Sequence, residues 1–253
     1  MTRYWKWILG VIVAVAVAIP AGTWLYINVI EGDAPAPLTL DTASSGQVTT
    51  TSSVAPSTST TAPTAIGATV PTTTAAPSES ALSGTWHPTS GSVLGYRVKE
   101  VLFGQSNEAV GRTSDVTGSM TINGASVSAV ELVVNLKMVK SDNSQRDGQF
   151  QGRIMNTATF PTATFKLTQA LTLSAVPTDS SVVDAKATGD LTLRGTTKTV
   201  TFDLKAQRDG AHVKVNGTIP IVFADYRIPN PSAGPASTED RGVVEFLVVF
   251  AKA

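Results

Sequence analysis

From Trp86 onward, apolar and polar residues take turns, and this two-residue rhythm runs almost to the end of the 253-residue chain. A period of two belongs to strands with one buried face and one wet face. The clearest run places Val130, Leu132, Val134, Leu136 and Met138 on one face, with Glu131, Asn135 and Lys137 opposite. Val116, Gly118, Met120 and Ile122 form a second stripe, and Phe165, Leu167, Leu171 and Leu173 a third. Val183, Ala185, Ala187, Leu191 and Leu193 follow, then Val200, Phe202 and Leu204, then Val213, Val215, Ile219, Ile221 and Phe223. With a first strand over Ser92–Phe103 and a last over Arg241–Ala251, eight strands are predicted, and no long helical period interrupts them.

Turn chemistry orders these strands. Asn123-Gly124 and Asp209-Gly210 are dipeptides favoured where two central residues need positive φ, so they join neighbours in two-residue hairpins. Gly195 marks a third tight connection. Consecutive hairpins build a meander, and eight strands closing on themselves remove the exposed edges. The expected fold is therefore all-β, an eight-stranded antiparallel up-and-down barrel of lipocalin-like form. A two-sheet sandwich shows the same alternation, so periodicity alone leaves it open. In a barrel, the long connections Gly104–Ser114, Lys140–Pro161 and Ala224–Asp240 all fall at one mouth. Asn123-Gly124, Ser174–Ser180 and Asp209-Gly210 fall at the other end, where the first strand also enters. A tether reaching that strand is then expected to attach opposite the mouth.

The N-terminal third has a different character. Trp7–Ile30 is apolar apart from Thr23 and Asn28, with Arg3 and Lys6 before it and Glu31 and Asp33 after it. About twenty apolar residues span a bilayer as a helix, and flanking basic residues favour a cytoplasmic N-terminus. A retained membrane anchor over residues 1–33 is one reading. A cleaved signal peptide with its core at Ile8–Ile19 is the other, although apolar residues continue past Pro20. Either one places the following residues outside the cytoplasm. Residues 34–81 are mainly Thr, Ser, Ala and Pro and carry too few large apolar side chains to offset backbone ordering. They read as a disordered linker resembling an O-glycosylated stalk, or as a bare tether of about 40 Å reach. The barrel domain occupies 82–253.

Composition removes several function classes. No Cys is present, which excludes disulfides, thiolate metal sites and thiol nucleophiles. After position 82 there are 17 basic and 15 acidic residues, a balance with no electrostatic footprint for nucleic acid. Phosphate-loop, zinc-protease and dinucleotide motifs are missing. The two histidines, His87 and His212, fit structural roles on solvated faces. Arg146-Asp147 and Glu239-Asp240-Arg241 read as loop ion pairs. No catalytic residue, metal or cofactor is expected.

Four stretches resemble the YceI-like family. One is Ser141-Asp142-Asn143-Ser144-Gln145-Arg146-Asp147 with Phe160-Pro161-Thr162-Ala163-Thr164-Phe165. The most specific is Gly189-Asp190-Leu191-Thr192-Leu193-Arg194-Gly195-Thr196-Thr197-Lys198-Thr199-Val200. Ile219-Pro220-Ile221-Val222-Phe223-Ala224-Asp225-Tyr226 and Trp86…Ser92-Val93-Leu94-Gly95-Tyr96 complete the set. Gly148-Gln149-Phe150 and Met155-Asn156-Thr157 depart from the His and paired aromatics frequent in that family's lid. The resemblance implies an eight-stranded barrel around a long apolar cavity, binding polyisoprenoid or another long-chain lipid, with no catalytic set to carry over.

Burying a hydrocarbon tail gains about 0.8 kcal/mol per CH₂, so a tail-binding tunnel needs few polar contacts. The candidate cavity-lining residues are Val134, Leu136, Phe165, Leu167, Phe202, Phe223 and Phe246. Arg146, Asp147, Asp225 and Tyr226 are the candidates at the mouth. The expected function is a membrane-tethered, extracytoplasmic lipid-binding protein whose partners are a long-chain lipid or isoprenoid and the membrane; its oligomeric state is left open. The competing reading is a cell-surface interaction or adhesion module with a packed core and functional loops. A weaker third is a hydrolase or isomerase without a recognisable motif.

Overall fold

The computed structural model describes residues 34–43, 82–102, 104–173, 181–232, 234 and 236–253. The expected membrane segment 1–33 and residues 44–81 of the expected linker lie outside them. Among the described residues no helix is long and apolar enough to cross a membrane.

Among the described residues twelve strands make one antiparallel sheet that closes into a barrel of eight staves. The first stave is β1 (Gly84–Pro88) followed by β2 (Val93–Leu102), and the second is β3 (Gln105–Thr113) followed by β4 (Val116–Asn123). Then come β5 (Ser126–Asn135), the broken stave β6 (Thr162–Leu167) and β7 (Leu171–Thr172), β8 (Val182–Leu193), β9 (Thr196–Asp209) and β10 (His212–Val222). β11 (Ala236–Thr238) and β12 (Arg241–Lys252) form the eighth. The last stave closes the barrel against the first: Val243–Leu247 pair with Val93–Arg97, and Phe250–Lys252 pair with Trp86–Pro88. Between β1 and β2 the chain turns at Ser90-Gly91, where the glycine φ is +89°. Ser92 bridges the bend, its hydroxyl donating to the Val249 carbonyl and accepting from the Val249 N–H. The sandwich alternative is thereby set aside.

The barrel agrees with the predicted strand count, but its edges differ from the sequence reading. Gly104–Ser114, read as a long mouth loop, is almost entirely β3, hydrogen-bonded along β2 from Leu102↔Gln105 to Leu94↔Thr113. Its small residues are what the fold requires. A Cβ at Gly111 would lie 2.4 Å from the Tyr96 ring, so the ring occupies the space that a larger side chain would need. β5 stops at Asn135, three residues short of the predicted stripe. The Asn135 side chain accepts from the Lys137 N–H and starts a 3₁₀ turn over Leu136–Met138. Leu136 stays inside and Met138 turns out to solvent.

The first ten residues of the expected linker also depart from disorder. Leu38 and Leu40 are buried against the outward-facing Leu247, with Val93 beside them. The Pro35 carbonyl accepts from Arg97 Nη2, the Ala36 carbonyl from Arg112 Nη2 and the Leu38 carbonyl from Asn216 Nδ2. Two leucines and three satisfied carbonyls supply what the Thr/Ser/Pro composition lacks, so residues 34–43 form a strap on the outer wall. Beneath it, the fully buried Glu245 carboxylate is held by Arg112 Nε at 2.8 Å and Arg97 Nε at 3.4 Å. A buried charge is tolerated only when paired in this way.

Candidate functional site

The inner faces of the staves do not meet. They surround a cavity of about 790 Å³. The packed core of the interaction-module reading is therefore not what the interior holds. Val134, Leu136, Phe165, Leu167, Phe202, Phe223 and Phe246 all border this space, so the structure brings all seven candidate lining residues to one cavity. Phe165, Phe202 and Phe246 pack edge to face at its waist, with ring centroids 5.5 and 5.7 Å apart. Glycines make room for two of these rings. A Cβ at Gly189 would lie 2.5 Å from the Phe165 ring, and one at Gly217 would lie 2.7 Å from Phe246.

One end is plugged. Leu82, Trp86, Met120 and Ile122 are buried together, and the Trp86 indole N–H donates to the Leu82 carbonyl at 2.9 Å. The other end is covered by residues 136–161, which leave the wall at Asn135 and return at Thr162, its direct partner across the β5–β6 pair. This lid contains the short helix α1 (Ser144–Gln149) and a π-helical turn over Phe150–Ile154. Asn143 caps α1, its side chain accepting from the Gln145 and Arg146 N–H groups. Phe150 stacks on Tyr96 at 5.0 Å and 13°, which fastens the lid to β2. Burial pushes the Tyr96 phenol well above its ordinary pKa, and the Arg146 guanidinium works in the opposite direction.

The four expected mouth residues separate. Arg146 borders the cavity, pairing with Glu100 at 3.2 Å and with Asp142. Asp147 is turned into the lid, where its carboxylate accepts from the Ser141 N–H and hydroxyl, both at 2.8 Å, and faces Lys140. It organises the lid and does not border the cavity. Asp225 is exposed, and Tyr226 is buried behind the wall on a 3₁₀ turn; neither borders the cavity. The tight turn at Arg194-Gly195 completes the mouth. Its glycine leaves room for the Phe160 ring, and Arg194 donates to the Arg227 carbonyl. This packing gives a physical reason for the most specific of the four sequence stretches and for the Phe160-Pro161 pair.

Glu100 is a charged cavity residue that the sequence reading missed. It stands in the even-numbered series Leu94, Tyr96, Val98, Glu100, Leu102 of β2, and all five border the cavity. The period-two rule carried one step past Val98 points it inward. Asn107 Nδ2 donates to the same Glu100 oxygen that faces Arg146. Cavity, plug, lid and a charged pair at the mouth can retain an apolar chain and meet a polar head. Among the described residues no group of three His, Cys, Asp or Glu could hold a metal ion.

The YceI-like domain family matches residues 85–250. A UPF0312 protein of Pseudomonas aeruginosa (strain LESB58) is 32% identical over 138 residues, covering 51% of this chain and 68% of its own length. A UPF0312 protein of Yersinia pestis (strain Pestoides F) is 32% identical over 140 residues, covering 51% and 67%. Among solved structures, a polyisoprenoid binding domain from Saccharophagus degradans, implicated in plant cell wall breakdown, superposes with a TM-score of 0.54. It is 18% identical, and the match covers 67% of this chain and 99% of that domain; the likeness is one of fold.

Proposed function

The chain belongs to the YceI-like family, and from that premise we propose that it is a lipid-binding protein that holds an isoprenoid or other long-chain apolar ligand inside its barrel. The observation that carries this reading is the cavity itself: about 790 Å³ of space lined mainly by hydrocarbon side chains, plugged at one end and lidded at the other. A chain seated in apolar space of this size gives the lining atoms dispersion partners. A tail entering it gains about 0.8 kcal/mol per CH₂. The head stays at the mouth beside Arg146 and Glu100. Binding alone accounts for this site, and no acid, base or nucleophile is needed. The fold shared with a polyisoprenoid binding domain supports the ligand class, and the apolar Trp7–Ile30 segment supports a membrane-tethered, extracytoplasmic setting.

Native mass spectrometry of the full chain, released gently from membranes, tests the reading. The expected spectrum contains a protein ion carrying the added mass of a long-chain lipid, which organic extraction removes. An unliganded spectrum in repeated preparations, together with failure to take up a fluorescent isoprenyl or acyl probe, would overturn it.

A further inference from the structure

The strap determines which end of the barrel lies nearest to whatever holds the N-terminus. Ala34 sits in a shallow depression formed by Lys99, Glu100, Val101, Ser106–Glu108 and Ser237–Glu239. These are the mouth-side ends of β2, β3 and β11. From there the strap descends: Pro35 at Arg97, Ala36 at Arg112, then Leu38 at Asn216 and Leu247. The 3₁₀ turn Leu40–Ala43 ends it across β10 and β12. The barrel chain resumes at Leu82, beside the Trp86 plug at the closed end. The described residues on either side of 44–81, Ala43 and Leu82, lie on one barrel, so with Trp7–Ile30 held in a membrane that tract would not set the distance between barrel and bilayer. With Trp7–Ile30 as the anchor, that distance would be limited by Glu31-Gly32-Asp33, the three residues separating the apolar Ile30 from Ala34. Fully extended, they reach about 14 Å. The wall is about 30 Å tall, from strands of ~12 residues at ~3.3 Å each, tilted by about 40°.

A tether leaving from the mouth, and shorter than half the barrel, brings the mouth to the bilayer and keeps the closed end away. The surface agrees. Of the five exposed large apolar side chains among the described residues, Val101, Met138 and Val222 stand at the mouth-side ends of their elements, and Val133 lies two residues from one. Only Val182 is at the closed end. We propose that the strap holds the lidded mouth against the lipid surface of the membrane that anchors the chain, so that the cavity opens toward the bilayer. The sequence alone suggested the reverse, with the tether entering at the closed end. The inference rests on the lipid-binding reading for its purpose and on Trp7–Ile30 as a retained anchor for its geometry. Its occupant is the bilayer surface, and exchange of lipid would need no passage through water.

The chain has no cysteine, so single labels are clean. Met138→Cys at the mouth and His212→Cys at the closed end, both exposed, are labelled with an environment-sensitive dye. Each full-length protein is reconstituted in phosphatidylcholine vesicles containing spin-labelled lipid. The expected result is flotation with the vesicles and quenching at least fivefold stronger at position 138 than at 212. In the Leu38→Ser/Leu40→Ser background the strap is released, and the ratio should fall below two. Equal quenching, or stronger quenching at 212, in protein that floats overturns the orientation and leaves the lipid-binding reading intact. Protein that fails to float also overturns it, because the anchor is then absent; native mass spectrometry still decides the cavity separately.

Discussion

The two ends of the barrel are shut by different physics. At the plugged end, tight turns bring Leu82, Trp86, Met120 and Ile122 into one apolar cluster, and its closure is part of the folding core. At the mouth, the cover is a segment of 3₁₀, α and π turns that tucks Leu136, Val139, Phe150 and Met155 into the same apolar cluster and is fastened further by a cap, carboxylate contacts and one stacked ring pair. Removing a buried apolar cluster costs several kcal/mol, whereas each polar fastening contributes about 1 kcal/mol. Loosening the lid one polar fastening at a time therefore costs less than removing a plug side chain, and the lid is expected to open before the plug does. Local stability of this uneven kind is where binding segments are found.

The difference can be broken from either side. Trp86→Ala should have the largest effect, a loss of about 3–5 kcal/mol seen as a lower urea midpoint, because the plug belongs to the core. Asn143→Ala removes the α1 cap and should cost about 1 kcal/mol. That loss should be confined to the lid: ligand release accelerates about fivefold in stopped-flow measurements and hydrogen exchange rises over 144–154, with little change in the global midpoint. The smallest effect is expected at Tyr226. Its phenol is pushed up to about 12, first by burial and then by the Asp225 carboxylate, and its buried oxygen has no hydrogen-bond partner among the described residues. In the unfolded chain the phenol titrates near about 10. The neutral form therefore supports the fold fully below pH 10, and that support is lost as pH rises toward 12. Tyr226→Phe should leave stability at pH 7 within about 0.5 kcal/mol and flatten part of the alkaline decline in thermal scans. The rest remains because burial raises Tyr96 in the same direction.

The same contrast explains what was legible in the sequence. β8, β9 and β10 bury one face and wet the other over most of their length, so alternation revealed them. β3 was hidden because its pattern serves the Tyr96 ring and not a hydrophobic stripe. The strap was hidden because two leucines in a Thr/Ser/Pro tract have no period, and only the tertiary patch at Leu247 gives them a partner. At the mouth, residue type was a weak guide. Arg146 borders the cavity, whereas neighbouring Asp147 turns to Ser141 within the lid, because successive helical residues point about 100° apart. Asp225 and Tyr226 follow β10 on a 3₁₀ turn, so the strand's inward-outward rule does not extend to them.

The most direct test of the central claim is Leu136→Trp. Leu136 lies on the cavity wall where β5 passes into the lid, so an indole there should fill space that a ligand tail otherwise occupies. The account predicts at least a tenfold loss of affinity for a fluorescent isoprenyl or acyl probe, with the unfolding midpoint nearly unchanged. Retained affinity together with a destabilisation of about 1–3 kcal/mol, the signature of an overpacked interior, would contradict it.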